Sequence, residues 1–369
     1  MSDTIKKAFC LAAGELSAEA EPQFAKLGEI QPFTESERDG LVAARDWIVR
    51  YAEEPAPEKP LCLAVFGSPG SGKSFVAKEI VKTAAEQLKG KGKKLEQKLP
   101  FSTINITQFA GPAEVAGALV GRVAGPERGT LPVVFFDEFD AQRNGISWGW
   151  LSWFLAPMND GVFVLNGADV SCRRAVFLFA GGTADSFKDF CNPRDIAGFR
   201  LAKGPDFISR LGGHLDVMSP NDRPREWRRA ALFADLLERE RPEIQSLEDD
   251  LVKSMVGVGR YRHGTRSVRV LLETCGTPEA GEKLRHSDLP AQQFLDLHVD
   301  RGPLDPVRAG GLIGLSGGGP THEQLRDLAQ RVGEGAVTVA RQCRESGLEH
   351  AVIGKLSDLI VARAVRCRW

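Results

Sequence analysis

The sequence Leu61-Cys62-Leu63-Ala64-Val65-Phe66, followed directly by Gly67-Ser68-Pro69-Gly70-Ser71-Gly72-Lys73-Ser74, decides the fold class. A continuous apolar run predicts a strand buried on both faces, as in a parallel sheet covered by helices on both sides. The glycine-rich part matches the pattern G-x-x-x-x-G-K-[ST], and helical periodicity follows over 74–88. A buried strand, a glycine-rich loop and a helix in this order are typical of a loop that wraps around phosphate groups.

The residue types of this loop suit a nucleoside triphosphate bound together with magnesium. Glycines let the backbone turn several N–H groups toward one anion, and the N-terminus of the following helix favours the same negative charge. We expect the ammonium group of Lys73 to reach the β- and γ-phosphates of ATP, and the hydroxyl of Ser74 to bind Mg²⁺. The rest of the predicted ATP-binding loop is Gly67, Ser68, Pro69, Gly70, Ser71 and Gly72.

A second continuous apolar run ends in two acidic residues. Residues 131–136 predict another buried strand, and Asp137 and Glu138 follow it at once. Because open α/β sheets bind ligands beyond the carboxyl ends of their strands, we expect both carboxylates to lie beside the glycine-rich loop. Asp137 would hold Mg²⁺, largely through water, and Glu138 would orient and polarise the attacking water.

Apolar runs and helical periodicity alternate through the first part of the chain. Further strands are predicted at 101–108, 161–165, 175–180 and 214–217. This alternation predicts an α/β fold with a doubly wound parallel sheet and helices on both faces. The predicted parts are an N-terminal helical segment and linker (1–58), an α/β ATPase domain (59–219), a helical lid domain (220–285) and a mostly helical C-terminal segment (286–369).

Taken together, these motifs resemble the AAA+ ATPases of the P-loop NTPase superfamily, and most of all the Clp-type unfoldases. Residues 205–211, with Arg210, are similar to the segment that carries the arginine finger in that group. Residues 264–273, with Arg266, are similar to its sensor 2 helix, which brings an arginine from the lid to the nucleotide. The resemblance implies that Arg210 acts on a neighbouring subunit's nucleotide, within a homo-oligomeric ring. It also implies a polar sensor 1 residue after the fourth strand, here Thr183, which would position the attacking water.

The resemblance has one departure, in the loop after the second strand. Clp-type unfoldases usually carry an aromatic–hydrophobic–glycine pore loop there, whereas this sequence reads Gln108-Phe109-Ala110-Gly111-Pro112. Three functions therefore stay open. We favour a motor that remodels a protein partner or assembly. The alternatives are a nucleotide-gated switch with slow hydrolysis and a nucleic-acid-directed ATPase, for which the basic stretch at 89–98 is the only support.

Bulk composition narrows the class of protein further. The 369 residues suffice for two or three domains, and a net charge of −1 favours neither nucleic acid nor an anionic membrane as a partner. Seven cysteines without a CxxC pair, and dispersed histidines, indicate neither a disulfide framework nor a zinc site. No apolar run approaches the roughly 20 residues that span a bilayer, so we expect a cytoplasmic protein. The glycine-rich segment 310–319 is expected to connect two helices.

Overall fold

The computed structural model describes residues 2–90, 98–123, 129–279 and 281–300. The glycine-rich segment 310–319, most of the predicted C-terminal part 286–369 and most of the basic stretch 89–98 lie outside these residues. None of the helices in the described ranges is long and apolar enough to cross a membrane. The strands are β1 (Leu61–Phe66), β2 (Phe101–Asn105), β3 (Val133–Asp137), β4 (Val162–Leu165), β5 (Ala168–Ser171), β6 (Val176–Ala180) and β7 (Gly213–Asp216). The helices are α1 (Ser2–Leu16), α2 (Glu35–Glu53), α3 (Lys73–Gly90), α4 (Pro112–Val123), α5 (Leu151–Asp160), α6 (Phe187–Cys191), α7 (Ile196–Leu201), α8 (Gly204–Ile208), α9 (Arg225–Glu240), α10 (Asp249–Gly257), α11 (Thr265–Thr274) and α12 (Gln292–His298).

Five strands form one parallel sheet in the order β2-β3-β6-β1-β7. Every residue of β1 and β6 is buried, as their continuous apolar sequences predict. The parallel direction places the carboxyl ends of all five strands along one edge of the sheet. The predicted α/β class, with a parallel sheet flanked by helices, is confirmed.

The two faces of the sheet are covered by different sets of side chains. On one face lies a phenylalanine-rich cluster, in which Phe136 stacks on Phe179 with ring centroids 5.3 Å apart and Phe139 stacks on Phe207 at 5.0 Å. On the other face, residues of α2 and α3 such as Ile48 pack against the alternate side chains of the strands. Burial on both faces makes the sheet a rigid support for the loops at its edge.

The predicted strand at 161–165 has a different place from the one expected. Its residues form β4, which pairs antiparallel with β5 in a separate two-stranded sheet and makes no pairing with the parallel one. The connection is Asn166-Gly167, and both residues have positive φ, 51° and 80°. This dipeptide between two short strands is a strong hairpin signal, because the turn that matches strand twist needs positive φ at both positions. Strand β5 is therefore a second strand of this hairpin, which the apolar pattern alone does not predict.

The helices after β7 form a core of their own, and it includes the N-terminal helix. Phe9 of α1 stacks on Phe233 of α9 at 5.3 Å, and the indole of Trp227 donates to the carbonyl of Glu19 at 2.9 Å. Leu295 and Val299 are also buried in this helical core. The two helices of segment 1–58 therefore lie in different cores, since α2 packs on the sheet. The boundaries at 59–219 and 220–285 stay predictions.

Candidate functional site

The glycine-rich loop leaves β1 at the carboxyl edge of the sheet and ends in the first turn of α3. Gly70 and Gly72 have φ of 81° and 99°, in the left-handed region where glycine has no Cβ to clash. The ammonium group of Lys73 donates to the carbonyl oxygen of Gly67 at 2.6 Å, so it lies within the curve of the loop. The hydroxyl of Ser71 is buried without a hydrogen-bond partner in the described residues, and Ser74 is exposed. The loop therefore holds the Lys73 ammonium group and one unused donor, the Ser71 hydroxyl.

Two predicted acidic residues lie at the same edge of the sheet. Asp137 ends β3, in register with Asn105 at the end of β2, and the Asn105 amide donates to its carboxylate at 3.5 Å. Glu138 follows with φ of 55°, an unusual value for a residue with a side chain. Both carboxylates are half-buried. Sequence reasoning missed Asn105, although a polar residue ending a strand is a readable signal.

Electrostatics tie Lys73 to these carboxylates. Burial lowers the pKa of Lys73, and the negative charges of Glu138 and Asp137 oppose that change. Burial raises the pKa of Asp137, against the opposing effect of Lys73. The pKa of Glu138 is also raised, first by burial and then by the charges of Asp140 and Asp137. A carboxylate with a raised pKa accepts a proton more readily, which suits Glu138 to act as a base. The carboxylates of Asp137, Glu138 and Asp140 would also stabilise a cation bound near them in addition to Lys73.

The turn that follows β6 completes this edge, and it is held by an acid that sequence reasoning missed. Asp140 is fully buried and accepts the backbone N–H groups of Gly182 at 2.8 Å and Thr183 at 3.0 Å. The hydroxyl of Thr183 also donates to Asp140, and the indole N–H of Trp148 donates to that hydroxyl at 3.3 Å. Thr183 thus follows Gly182, whose backbone lies against the Glu138 carboxylate, and its hydroxyl proton is donated to Asp140.

The N-terminus of α11 contacts the tip of the glycine-rich loop. The N–H of Thr265 donates to the carbonyl of Gly70 at 2.9 Å. A Cβ at Gly70 would lie 3.6 Å from the Cβ of Arg266, so Arg266 begins beside the loop, and its side chain is exposed. The structure therefore brings Arg266 to the predicted site in the same chain.

Arg210 is placed differently. It follows α8 on a turn before β7, and its Nη1 donates to the carbonyl of Asp206 at 2.5 Å. Its Nε is buried without a partner in the described part of the chain. The hydrogen bonds of Arg210 within the described residues do not reach the glycine-rich loop. The planar guanidinium group of arginine is suited to binding phosphate.

Gly70→Ala should destabilise the contact between the loop and α11. A Cβ at Gly70 would lie 2.0 Å from the carbonyl oxygen of His263, and positive φ alone costs about 1–2 kcal/mol. Gly72→Ala is the matched control, because Gly72 also has positive φ but its Cβ would meet nothing within 4 Å. Thermal unfolding of both variants should show the larger loss for Gly70→Ala. Equal losses of thermal stability in the two variants would mean that the backbone at His263 moves away from the new Cβ with no cost in free energy.

The fold and this site define an α/β protein with a glycine-rich loop between a buried strand and a helix.

No known family model matches the sequence, and no curated protein matches it either. The ORC2 protein of Aeropyrum pernix is similar in structure, with 16% identity, 66% of this chain and 63% of that chain covered, and a TM-score of 0.45. NtrX from Brucella abortus, in complex with ATP, is 14% identical over 89% of this chain and 68% of that chain, with a TM-score of 0.47. Drosophila ORC bound to DNA is 15% identical over 72% and 59%, with a TM-score of 0.41. The chain spans less than two thirds of the matched ORC chains.

Proposed function

We propose that this protein binds and hydrolyses ATP as an AAA+ type ATPase. The observation that carries the proposal is the convergence of Lys73, Asp137 and Glu138 at the carboxyl edge of one parallel sheet, close enough for each carboxylate to affect the pKa of the lysine. A cation within a glycine-rich loop and two carboxylates at the end of a strand of the same sheet are the parts that phosphoryl transfer needs. The reaction is ATP + H₂O → ADP + phosphate.

The residues at the loop fit the triphosphate of ATP. The unpartnered hydroxyl of Ser71 and the ammonium group of Lys73 are donors that a phosphate oxygen satisfies. Backbone N–H groups of the loop add to these donors, apart from Pro69, which has none, and Ser71, whose N–H donates to the carbonyl of Ser68. Helix α3 begins directly at Lys73. Lys73 would exchange its bond to the carbonyl of Gly67 for the β- and γ-phosphates. The exposed position of Arg266 supports a contact with the same anion from the helical side.

Ser74 and Asp137 fit Mg²⁺ bound jointly with phosphate oxygens. The described residues contain no group of three or more metal-binding side chains, so they offer no all-protein cage for the ion. That is the usual arrangement for Mg²⁺, which keeps several waters and takes one or two protein ligands beside a nucleotide. The ion would neutralise charge that develops on the phosphates.

Glu138 orients the attacking water and polarises it by partly accepting one of its protons. Its raised pKa, caused by burial and by neighbouring carboxylates, suits a base that polarises water. Thr183 can help as an acceptor, because its proton is donated to Asp140. Arg210 would stabilise the transition state on a neighbouring subunit, which requires a homo-oligomeric ring. The hydrogen bonds of Arg210 within the described residues do not reach the glycine-rich loop of its own chain, which supports an action on a neighbour's nucleotide.

The work done by hydrolysis is remodelling of a protein partner or assembly. The contact between Thr265 and Gly70 supports this role, because a ligand in the loop acts directly on the helical region that α11 belongs to. Rigid-body motion of that region would transmit the state of the nucleotide. Measuring ATPase rates with and without an unfolded protein, DNA or RNA, at two salt concentrations, tests the choice of partner.

Lys73→Ala should abolish ATP binding, because the lysine contacts phosphate in the ground state. Lys78→Ala is the matched control: this exposed lysine lies in the same helix and its ammonium group is 5.8 Å from the ring of Phe101. Titration with a fluorescent ATP analogue should show saturable binding by wild type and by Lys78→Ala only. Undiminished binding by Lys73→Ala would remove the main support for the proposed function.

A further inference from the structure

We propose that Asp140 is a positioning residue for ATP hydrolysis, a role that rests on the ATPase function proposed above. Its carboxylate fixes the turn at residues 181–183, and that turn supports the carboxylate of Glu138. Asp140 touches neither the glycine-rich loop nor a site for substrate; it acts through the turn. Three steps carry this inference.

The first step is the burial of Asp140. The residue is 0% exposed, and a buried carboxylate is stable only if donors satisfy its oxygens. The three donors that do so are the N–H of Gly182, the N–H of Thr183 and the hydroxyl of Thr183. All three belong to one turn, and bonds to an ionised acceptor are among the stronger ones in proteins. The position of the turn is therefore set by Asp140.

The second step is the contact between this turn and Glu138. A Cβ built at Gly182 would lie 1.9 Å from Oε2 of Glu138 and 2.7 Å from its Cδ. The Glu138 carboxylate consequently lies directly on the Gly182 backbone, and a larger residue at position 182 would displace it. Movement of Gly182 would move the carboxylate, and a displacement of about 1 Å in a reacting group can cost roughly 10²-fold in rate.

The third step is the local backbone. Glu138 holds φ at 55°, a conformation that persists only where neighbours enforce it. The N–H of Phe139 donates to the carbonyl of Ala180 at 3.4 Å, and the N–H of Ala141 donates to the carbonyl of Glu138 at 3.0 Å. The bond from Phe139 and those of Asp140 fasten the segment after β3 to the end of β6, and the bond from Ala141 closes the turn that begins at Glu138. The strained carboxylate-bearing residue is thus fixed from both sides.

Trp148 supports the same turn from outside. Its indole N–H donates to the Thr183 hydroxyl at 3.3 Å, and its ring meets the ring of Phe199 edge-on at 5.3 Å. The hydroxyl therefore donates to Asp140 and accepts from Trp148 at once. Both contacts hold the turn at the position that Glu138 requires.

The test compares Asp140→Asn with wild type. Asparagine keeps the shape of the side chain, but its NH₂ group cannot accept the N–H of Thr183, so the turn should shift. We expect ATP affinity close to that of wild type and turnover lower by about 10- to 100-fold. Thr183→Val removes one of the three bonds without touching the carboxylate, so it should reduce turnover less. In the double variant the two losses should be less than multiplicative, because both changes break the same contact.

Tyr51→Phe is the structural control. The Tyr51 hydroxyl lies 3.0 Å from the carbonyl of Lys59 and 2.5 Å from that of Arg173, before β1 and β6 at the opposite edge of the sheet. This variant should lose thermal stability and keep wild-type turnover. If Asp140→Asn does not fold, the same comparison is made with Trp148→Phe, which removes the indole hydrogen bond to the turn and retains both the buried carboxylate and the Thr183 hydroxyl.

Each outcome decides the inference. Wild-type turnover in Asp140→Asn, with Glu138→Gln inactive, would overturn the positioning role and leave the ATPase function standing. Turnover could instead fall in proportion to thermal stability, and to the same degree in Asp140→Asn and in Tyr51→Phe. That result would also overturn the positioning role, because it would show that Asp140 contributes to stability alone. Hydrolysis by Glu138→Gln at the wild-type rate would instead overturn the proposed function, and the positioning role with it.

Discussion

Replacing Glu138 with glutamine should leave ATP bound and slow its hydrolysis by about 10²–10⁴-fold, the usual contribution of a general base. The amide keeps the shape of the side chain and its place on the backbone of Gly182, but it cannot act as a base that accepts a proton from water. Phosphate release and equilibrium binding, measured on the same preparation, separate chemistry from affinity. The bound ATP should persist long enough for a partner protein to be captured with it.

The matched control for this variant is Glu58→Gln. Glu58 is exposed and lies just before β1, at the edge of the sheet opposite the glycine-rich loop. The same loss of one negative charge should leave both binding and turnover unchanged there. Wild-type turnover in the Glu138→Gln protein would show that another residue activates water. Asp137 would then be the next candidate, since the pKa of its carboxyl is raised by burial at the same edge.

Replacing Arg210 with alanine should leave ATP binding intact and reduce turnover by about 10³–10⁵-fold, as for an arginine supplied by a neighbour. An exposed salt bridge contributes far less than this, at most about 1 kcal/mol. Specific activity of the wild-type protein should also rise with its concentration, because a subunit alone lacks the neighbour's guanidinium group. The matched control is Arg50→Ala, at an exposed arginine in the last turn of α2. It removes the same positive charge and should leave turnover unchanged.

Mixing two inactive proteins tests whether the site is shared. In assemblies of Arg210→Ala and Glu138→Gln subunits, some interfaces join an intact Arg210 to an intact Glu138. Those interfaces should hydrolyse ATP, so that activity returns on mixing two nearly inactive preparations. Mixed assemblies that form, as shown by co-purification of two different tags, and yet stay inactive would place the action of Arg210 within its own subunit.

Local sequence determined the central part of the fold. The apolar runs of β1 and β3 are continuous because both faces of these strands are covered, and this pattern is readable without any partner. The glycine-rich loop was equally readable, because positive φ at Gly70 and Gly72 is a property of the chain at those positions. From these local features followed the α/β class and the expectation that Lys73, Asp137 and Glu138 share one edge of the sheet.

Tertiary structure decided which distant residues complete that edge. Asp140 meets its donors 42 and 43 positions along the chain, and Asn105 meets Asp137 32 positions along, distances over which a single sequence carries no pairing signal. The helical periodicity of α1 predicted a helix but not its partner, because an apolar stripe packs on any complementary core. Asn166-Gly167 signals the hairpin of β4 and β5 locally, but only the folded chain shows that this hairpin pairs apart from the main sheet. Periodicity and motif chemistry act within a few residues, whereas burial and hydrogen bonding select among partners that only the folded chain brings together.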